Sequence, residues 1–188
     1  MATPTIIVGN EVFVGFAANR AKIEERLRQP LGEAALPDRE APASAVEWEE
    51  TDRIAEQILR DSKTIAVVGL SPNPERESHE VARYLQSQGY RIIPVNPQAS
   101  EILGERSYAD LADVPDQVDV VDIFRRPEHV PAIVETAIAK GIPAIWMQQG
   151  VINEEAAERA RSAGLRVIMD RCTQVEHRRL LQQPSGQG

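Results

Sequence analysis

The stretch from Ile65 to Val81, IAVVGLSPNPERESHEV, holds the residues best placed to do chemistry. Gly69 stops an apolar run, and a polar loop carries Ser71, Arg76 and Ser78. Val81, Ala82, Tyr84 and Leu85 then recur at helical spacing. A strand, a glycine turn and a helix start together make a cradle for phosphate. The first N–H groups of a helix lack partners, and the helix dipole draws an anion to them. Arg76 and Ser78 can add charge-assisted and hydroxyl contacts to the same oxygens. A glycine turn after a strand also occurs in α/β proteins that bind nothing there.

An ordinary dinucleotide site asks for more. It needs G-x-G-x-x-G and an acidic residue about 20 positions on, where a ribose hydroxyl is held. Here the loop reads Gly69-Leu70-Ser71 with Pro72 and Pro74, and the second strand, Arg91–Val95, runs into Asn96 and Pro97. A phosphate-bearing ligand other than NAD is the better match.

The elements that must position these residues alternate from Thr64 onward. Strands are expected at Thr64–Val68, Arg91–Val95, Val118–Ile123, Ala144–Met147 and Arg166–Met169. Helices are expected at Ser78–Gln88, Glu128–Lys140 and Glu154–Ala163, each followed by a capping glycine: Gly89, Gly141 and Gly164. Asn153 reads as the N-cap of the third of these. Ser107–Leu111 reads as a short helical turn, and Val46–Arg60 as an amphipathic helix ahead of the first strand. Pro30–Ser44 has linker composition. The expected architecture is α/β: a doubly wound parallel sheet of about five strands in the order 3-2-1-4-5, preceded by a small β-hairpin plus helix. Ligands then sit beyond the carboxyl ends of the strands, on the loops Gly69–Ser78, Asn96–Pro97, Phe124–Arg126, Gln148–Val151 and Asp170–Thr173.

Composition narrows the function classes. The chain has 188 residues, 42% of them hydrophobic, enough for one good domain and something smaller. Its 29 acidic against 21 basic residues, net −8, argue against non-specific nucleic-acid binding and against a polybasic membrane patch. Aromatics at 4% offer no stacking platform for bases. No apolar run reaches the ~20 residues of a membrane span, and no secretory leader is visible. A single cysteine, Cys172, rules out an internal disulfide framework. A cytoplasmic protein is expected.

The region from about Trp48 to Leu181 resembles the small stand-alone CoA-binding proteins, relatives of the CoA-binding domain of the succinyl-CoA synthetase α subunit. The runs VVGLSPNPERESHEVARYL, GYRIIPVNP, EILGERSYADL, VDVVDIFR, IWMQQGV and DRC carry the likeness, in order and at fitting separations. The resemblance implies a Rossmann-like fold that grips coenzyme A by its phosphates and adenosine. It sets Gly69, Ser71, Arg76 and Ser78 at phosphate, and Asn96 and Pro97 at the adenosine. Phe124 and Arg125 follow the third strand, and Gln149, Gly150 and Val151 lie near the path of the pantetheine arm. CoA or acyl-CoA is the implied ligand.

The α-subunit relatives use a catalytic histidine from a separate domain, and this chain ends soon after Leu181, so none is expected here. His79, His129 and His177 read as solvated or capping residues. No Ser-His-Asp spacing, zinc-ligand cluster or acid/base pair emerges, which favours a binder over an enzyme. The rivals are a ligase or transferase component acting with a second chain, and an NAD-dependent oxidoreductase. Cys172, after the last strand, reads either as a small buried residue or as a thiol able to exchange with that of CoA.

A second resemblance lies at the front. TPTIIVGNEVFVGFAANRAKIEERL, Thr3–Leu27, is similar to the C-terminal half of a glutaredoxin-like domain, with the Thr-Pro dipeptide at Pro4 and a hairpin turn at Gly9-Asn10. The C-x-x-C and the preceding β-α-β units are missing, so the segment is either truncated from a longer fusion or a retained relic, or else an accidental hairpin and helix. The expected domains are 1–31 glutaredoxin-like fragment, 32–45 linker, 46–183 CoA-binding domain and 184–188 flexible tail. A hairpin and helix of about 30 residues cannot bury an apolar face alone. Ile6, Val8, Val12 and Val14 should therefore pack on a second copy or on the larger domain, making a homodimer. Deleting residues 1–42 should leave CoA affinity nearly intact and change the oligomer or its solubility. Light scattering that finds the same mass and solubility for both forms would overturn the assembly.

Overall fold

The computed structural model describes residues 5–8, 11–14 and 43–182, and the chain divides into two units, 1–43 and 44–188. In the first unit, β1 (Thr5–Val8) pairs antiparallel with β2 (Glu11–Val14), Val8 opposite Glu11. Gly9-Asn10, Pro4 and the helix expected to follow lie outside the described residues.

The second unit begins with α1 (Ala43–Asp61), which starts earlier than the expected Val46. Then come β3 (Thr64–Val68), α2 (Glu77–Ser87) and β4 (Arg91–Val95). A two-stranded ribbon, β5 (Glu101–Ile102) and β6 (Glu105–Arg106), and a 3₁₀ turn at Leu111–Asp113 lead to β7 (Val120–Ile123). A 3₁₀ turn at Pro127–His129 precedes α3 (Val130–Lys140), and β8 (Ala144–Met147), α4 (Glu154–Ser162), β9 (Arg166–Ile168) and α5 (Thr173–Leu181) complete the unit. Asn153 caps α4 by accepting from the Ala156 amide at 2.9 Å, and Gly89, Gly141 and Gly164 take positive φ after their helices.

The five parallel strands run β4-β3-β7-β8-β9, which is 2-1-3-4-5 in order of appearance, not the expected 3-2-1-4-5. The reason lies at Pro94. Proline has no N–H for a second ladder, so it belongs on an edge strand. The outer side of β4 takes only Tyr108, whose N–H donates to Pro94 O at 3.0 Å and whose carbonyl accepts from Asn96 N at 2.8 Å. The open edge of β3 then receives β7, Ile65 to Val68 pairing with Val120 to Ile123. The switch point falls between β3 and β7.

All five strands are buried between two helical layers, with period-2 alternation deciding the face. Ile65, Val67, Ile92, Trp146 and Ile168 pack with Ile58 and Leu59 of α1 and Val81 and Leu85 of α2. Ala66, Val68, Ile93, Val121, Ile145 and Met147 pack with Val134 and Ala137 of α3 and Ala157 and Ala160 of α4.

Helix α5 was not expected, and it alters the histidines. His177 is buried, not solvated: its Nδ1 pairs with the Tyr84 hydroxyl at 3.0 Å and its ring meets Tyr84 and Tyr90 edge-on. His79 is also buried, with Nδ1 2.9 Å from Ser71 O. Each ring has an apolar body for the core and one nitrogen for a local partner. His129 is exposed.

Asp52 of α1 pins α5. It accepts from Arg179 at 2.6 and 2.7 Å and from Arg171 at 2.5 Å, and Glu176 accepts from Arg179 at 2.5 and 3.1 Å. Trp48 lies over the Arg171 guanidinium, 4.8 Å from its ring centre. Arg179 and then Arg171 hold the Asp52 carboxyl below the usual carboxylate range. A lowered carboxyl adds stability that is present above its unfolded pKa and lost as pH falls through the folded one. Asp52→Ala should cost about 1.5–3 kcal/mol at neutral pH, several degrees of Tm. The gap between variant and wild type should close in acid; a gap that stays constant would remove the pin.

Candidate functional site

Gly69 ends β3 at the switch point. Its N–H donates to Val95 O at 2.9 Å, and Phe124 N donates to Val68 O at 2.8 Å, so three strand ends are stitched together there. Its φ is +91°, and a Cβ on it would stand 2.4 Å from Phe124 O and 2.9 Å from Arg125 Cδ. Only glycine lets the loop turn this close to the next strand's exit.

The loop that follows is built from its own side chains. Ser71 N donates to Ser78 Oγ at 3.0 Å, Asn73 N to Ser71 Oγ at 3.1 Å, and Glu75 N to Asn73 Oδ1 at 3.0 Å. Arg76 is the N-cap of α2 and makes no side-chain cap bond. The first helical bonds run from His79 N and Glu80 N to Arg76 O, so the Glu77 and Ser78 amides stand ahead of them. Gly69, Ser71, Arg76, Ser78 and Phe124 line one cleft. Glu77 and Glu80 in the first turn of α2 partly oppose an anion.

Two more clefts adjoin through shared residues. Pro97 lines one with Gly69, Arg125 and the α3 residues Ile133 and Thr136. Phe124, Arg125, Gln149, Gly150 and Val151 line the other, of about 480 Å³, together with Cys172. Asn96 lines none of the three: its Nδ2 donates to Leu70 O and its Oδ1 accepts from Gln98 N, both at 2.8 Å. Its amide ties the loops after β3 and β4 together. All the other residues expected at the ligand come to these clefts along one sheet edge.

Sequence reasoning missed the support beneath this edge. Asp122, fully buried in β7, accepts from Gln148 Nε2 at 2.7 Å and from Thr173 Oγ1 at 2.9 Å, and Gln148 Nε2 also reaches Thr173 Oγ1. Burial pushes the Asp122 carboxyl up to about 7, against the opposing hydrogen bonds from Gln148, Thr173 and the Ile123 backbone. An acid inside the apolar run VDVVDIF was the available signal. Asp170, at φ 57°, accepts from Gly150 N at 2.7 Å and joins the loops after β8 and β9.

An open parallel sheet with a glycine turn and a helix start at its switch point defines the doubly wound class of α/β protein, in which ligands sit beyond the carboxyl ends of the strands. A family model described as CoA binding domain matches residues 63–178, and the chain belongs to that family. Uncharacterized protein YneT of Bacillus subtilis is 45% identical over 121 residues, 64% of this chain and 90% of that one. A solved structure of a hypothetical protein from Pyrococcus horikoshii matches with 43% identity and a TM-score of 0.67, covering 69% of this chain and 92% of that one. The α subunit of ADP-forming acetate–CoA ligase I of Pyrococcus furiosus is 30% identical over 128 residues, 60% of this chain; the match spans only 28% of that subunit.

Gly69→Ala should cost more than Gly104→Ala. Both glycines have positive φ, but a Cβ at Gly104 meets nothing within 4 Å. The left-handed strain common to both is about 1–2 kcal/mol. The overlap at Gly69 adds to it, and denaturant titration giving equal losses would remove the close approach as a constraint.

Proposed function

We propose that this chain binds coenzyme A or acyl-CoA and serves as a carrier, sensor or partner subunit without catalysis of its own. The observation that carries this reading is a pair of uncommitted cations beside the cradle. Arg76 and Arg125 are exposed and, among the described residues, neither makes a salt bridge, whereas Arg159, Arg166, Arg171 and Arg179 are all paired. CoA carries a pyrophosphate and a 3′-phosphate, which guanidinium groups hold well.

The residues present fit such a ligand. Gly69, Ser71, Arg76 and Ser78 would hold phosphate, with the free amides of Glu77 and Ser78 behind them. Pro97 would flank the adenosine, and Phe124, Arg125, Gln149, Gly150 and Val151 would line the route of the arm. Bound CoA supplies a thiol that carries acyl groups as thioesters; the chain's part is to hold and orient it. We take the protein to be a cytoplasmic homodimer, on its acidic composition and on a two-strand hairpin that needs a further surface to cover its apolar face. A second reading, a CoA-holding component acting with another chain, is favoured by the likeness to the acetate–CoA ligase subunit.

CoA at 100 times its dissociation constant should stabilise the fold by about 2.7 kcal/mol, a Tm rise of roughly 5–10 °C, and NAD should not. Arg76→Ala should weaken CoA about tenfold to a hundredfold, the loss of one charge-assisted contact. Arg161→Ala, on α4 beside Glu158, should change nothing. Equal shifts with CoA and NAD would overturn the ligand, and equal affinities of the two variants would remove Arg76 from the site.

A further inference from the structure

The side chain of Gln148 is committed at one end only. It is 4% exposed, and its Nε2 donates both protons inward, to Asp122 and to Thr173. Its Oε1 has no partner among the described residues. That oxygen is also not sealed in the core, because the one sealed and unpartnered side-chain atom there is Ser62 Oγ. Gln148 lines the cleft of Phe124, Gly150, Val151 and Cys172, so the cleft is what its oxygen faces. The amide cannot turn round while Asp122 is ionised, because two acceptors would then meet in a buried place.

We propose that Gln148 is a specificity-determining residue for the arm of the ligand. Its Oε1 accepts a hydrogen bond from a donor on the pantetheine arm, an amide N–H or the thiol S–H, and Asp122 is the positioning residue that fixes which end of the amide faces the cleft. This rests on the CoA reading above. A protonated Asp122 can itself donate to Oε1, so the reversed amide becomes equally good and the cleft loses its acceptor. The carboxyl's pKa of about 7 puts that change within reach of ordinary buffers.

The other titratable or charged groups near this point are Glu77, His79 and Glu80 of α2, Arg125 and Arg126 after β7, Cys172, and Glu176 and His177 of α5. None contributes to the shift of Asp122, which comes from burial and hydrogen bonds. Comparison with Asp122→Asn separates their titration from its own.

The test is calorimetry with CoA and with adenosine 3′,5′-bisphosphate, which lacks the arm. Gln148→Met and Asp122→Asn should each weaken CoA about three- to tenfold, one hydrogen bond, near pH 8, and leave the bisphosphate unchanged. Wild-type affinity for CoA should fall relative to the bisphosphate between about pH 8 and about pH 6. Asp122→Asn should show no such fall. S-methyl-CoA assigns the donor: a Gln148→Met loss that persists with it names the arm amide, and one that vanishes names the thiol, each in keeping with the proposal. Equal losses on both ligands, or none, with CoA still bound by wild type, would overturn it. Failure of wild type to bind CoA at any pH would overturn the proposed function itself.

Discussion

A carboxyl group buried completely in the middle strand of a sheet needs a strong reason to stay there. Asp122 loses its hydration and recovers three hydrogen bonds, from Gln148, Thr173 and the Ile123 backbone. Burial wins, which is why the proton is held to about 7. What the carboxyl achieves is junction. Gln148 opens the loop after β8, and Thr173 opens α5. Without Asp122, those two segments would meet the end of β7 with no polar partner in common. Packing alone could not fix them, because a loop start and a helix start both present groups that apolar neighbours leave unsatisfied.

The same carboxyl sets stability against order at the edge. A raised pKa means the folded chain keeps a proton that the unfolded chain has released, so the stability contributed is full in acid and declines as pH rises from about 4 to about 7. Asp52 runs the other way, its contribution appearing as pH rises. The ionised form of Asp122, which orients Gln148, is therefore the form the fold favours less. Such a conflict is expected where a buried polar group is retained for a site rather than for the core.

Most of the sheet was legible because buried parallel strands write themselves as apolar runs, as Ile65–Val68 and Ala144–Met147 do. Capping glycines and Asn153 marked the helix ends for local reasons that tertiary structure did not override. The order of the strands was misread although Pro94 stood in view: a proline counts against a central strand, and the 3-2-1-4-5 order made β4 central. Helix α5 escaped because its short run, TQVEHRRLL, is held by partners on distant elements, Tyr84 for His177 and Asp52 for Arg179. Asn96 was recognisable as unusual by its position, but not as a tie between loops, since its partner Leu70 O comes within reach only once β3 and β4 are paired.

An acidic chain that holds a polyanion must arrange its field locally. With a net charge of −8, long-range attraction for a phosphate ligand is weak or adverse, and screening over about 8–10 Å at ordinary salt leaves the nearest charges in control. Those charges are Arg76, Arg125 and Arg126, on two loops that Gly69 and Phe124 bring together at the switch point. Eight of the eleven other arginines among the described residues of the domain have a carboxylate within 4 Å, those of Asp52, Asp61, Asp116, Glu135 and Glu176 among them. Glu77 and Glu80, at the start of the same helix, limit the attraction to an anion that also satisfies the turn's amides. Binding at this edge then depends on close contact rather than steering, and close contact depends on how near the strand ends can approach. That limit is set at Gly69, where the absence of one carbon atom lets its loop stand against Phe124 and Arg125, the closeness that the proposed CoA site requires.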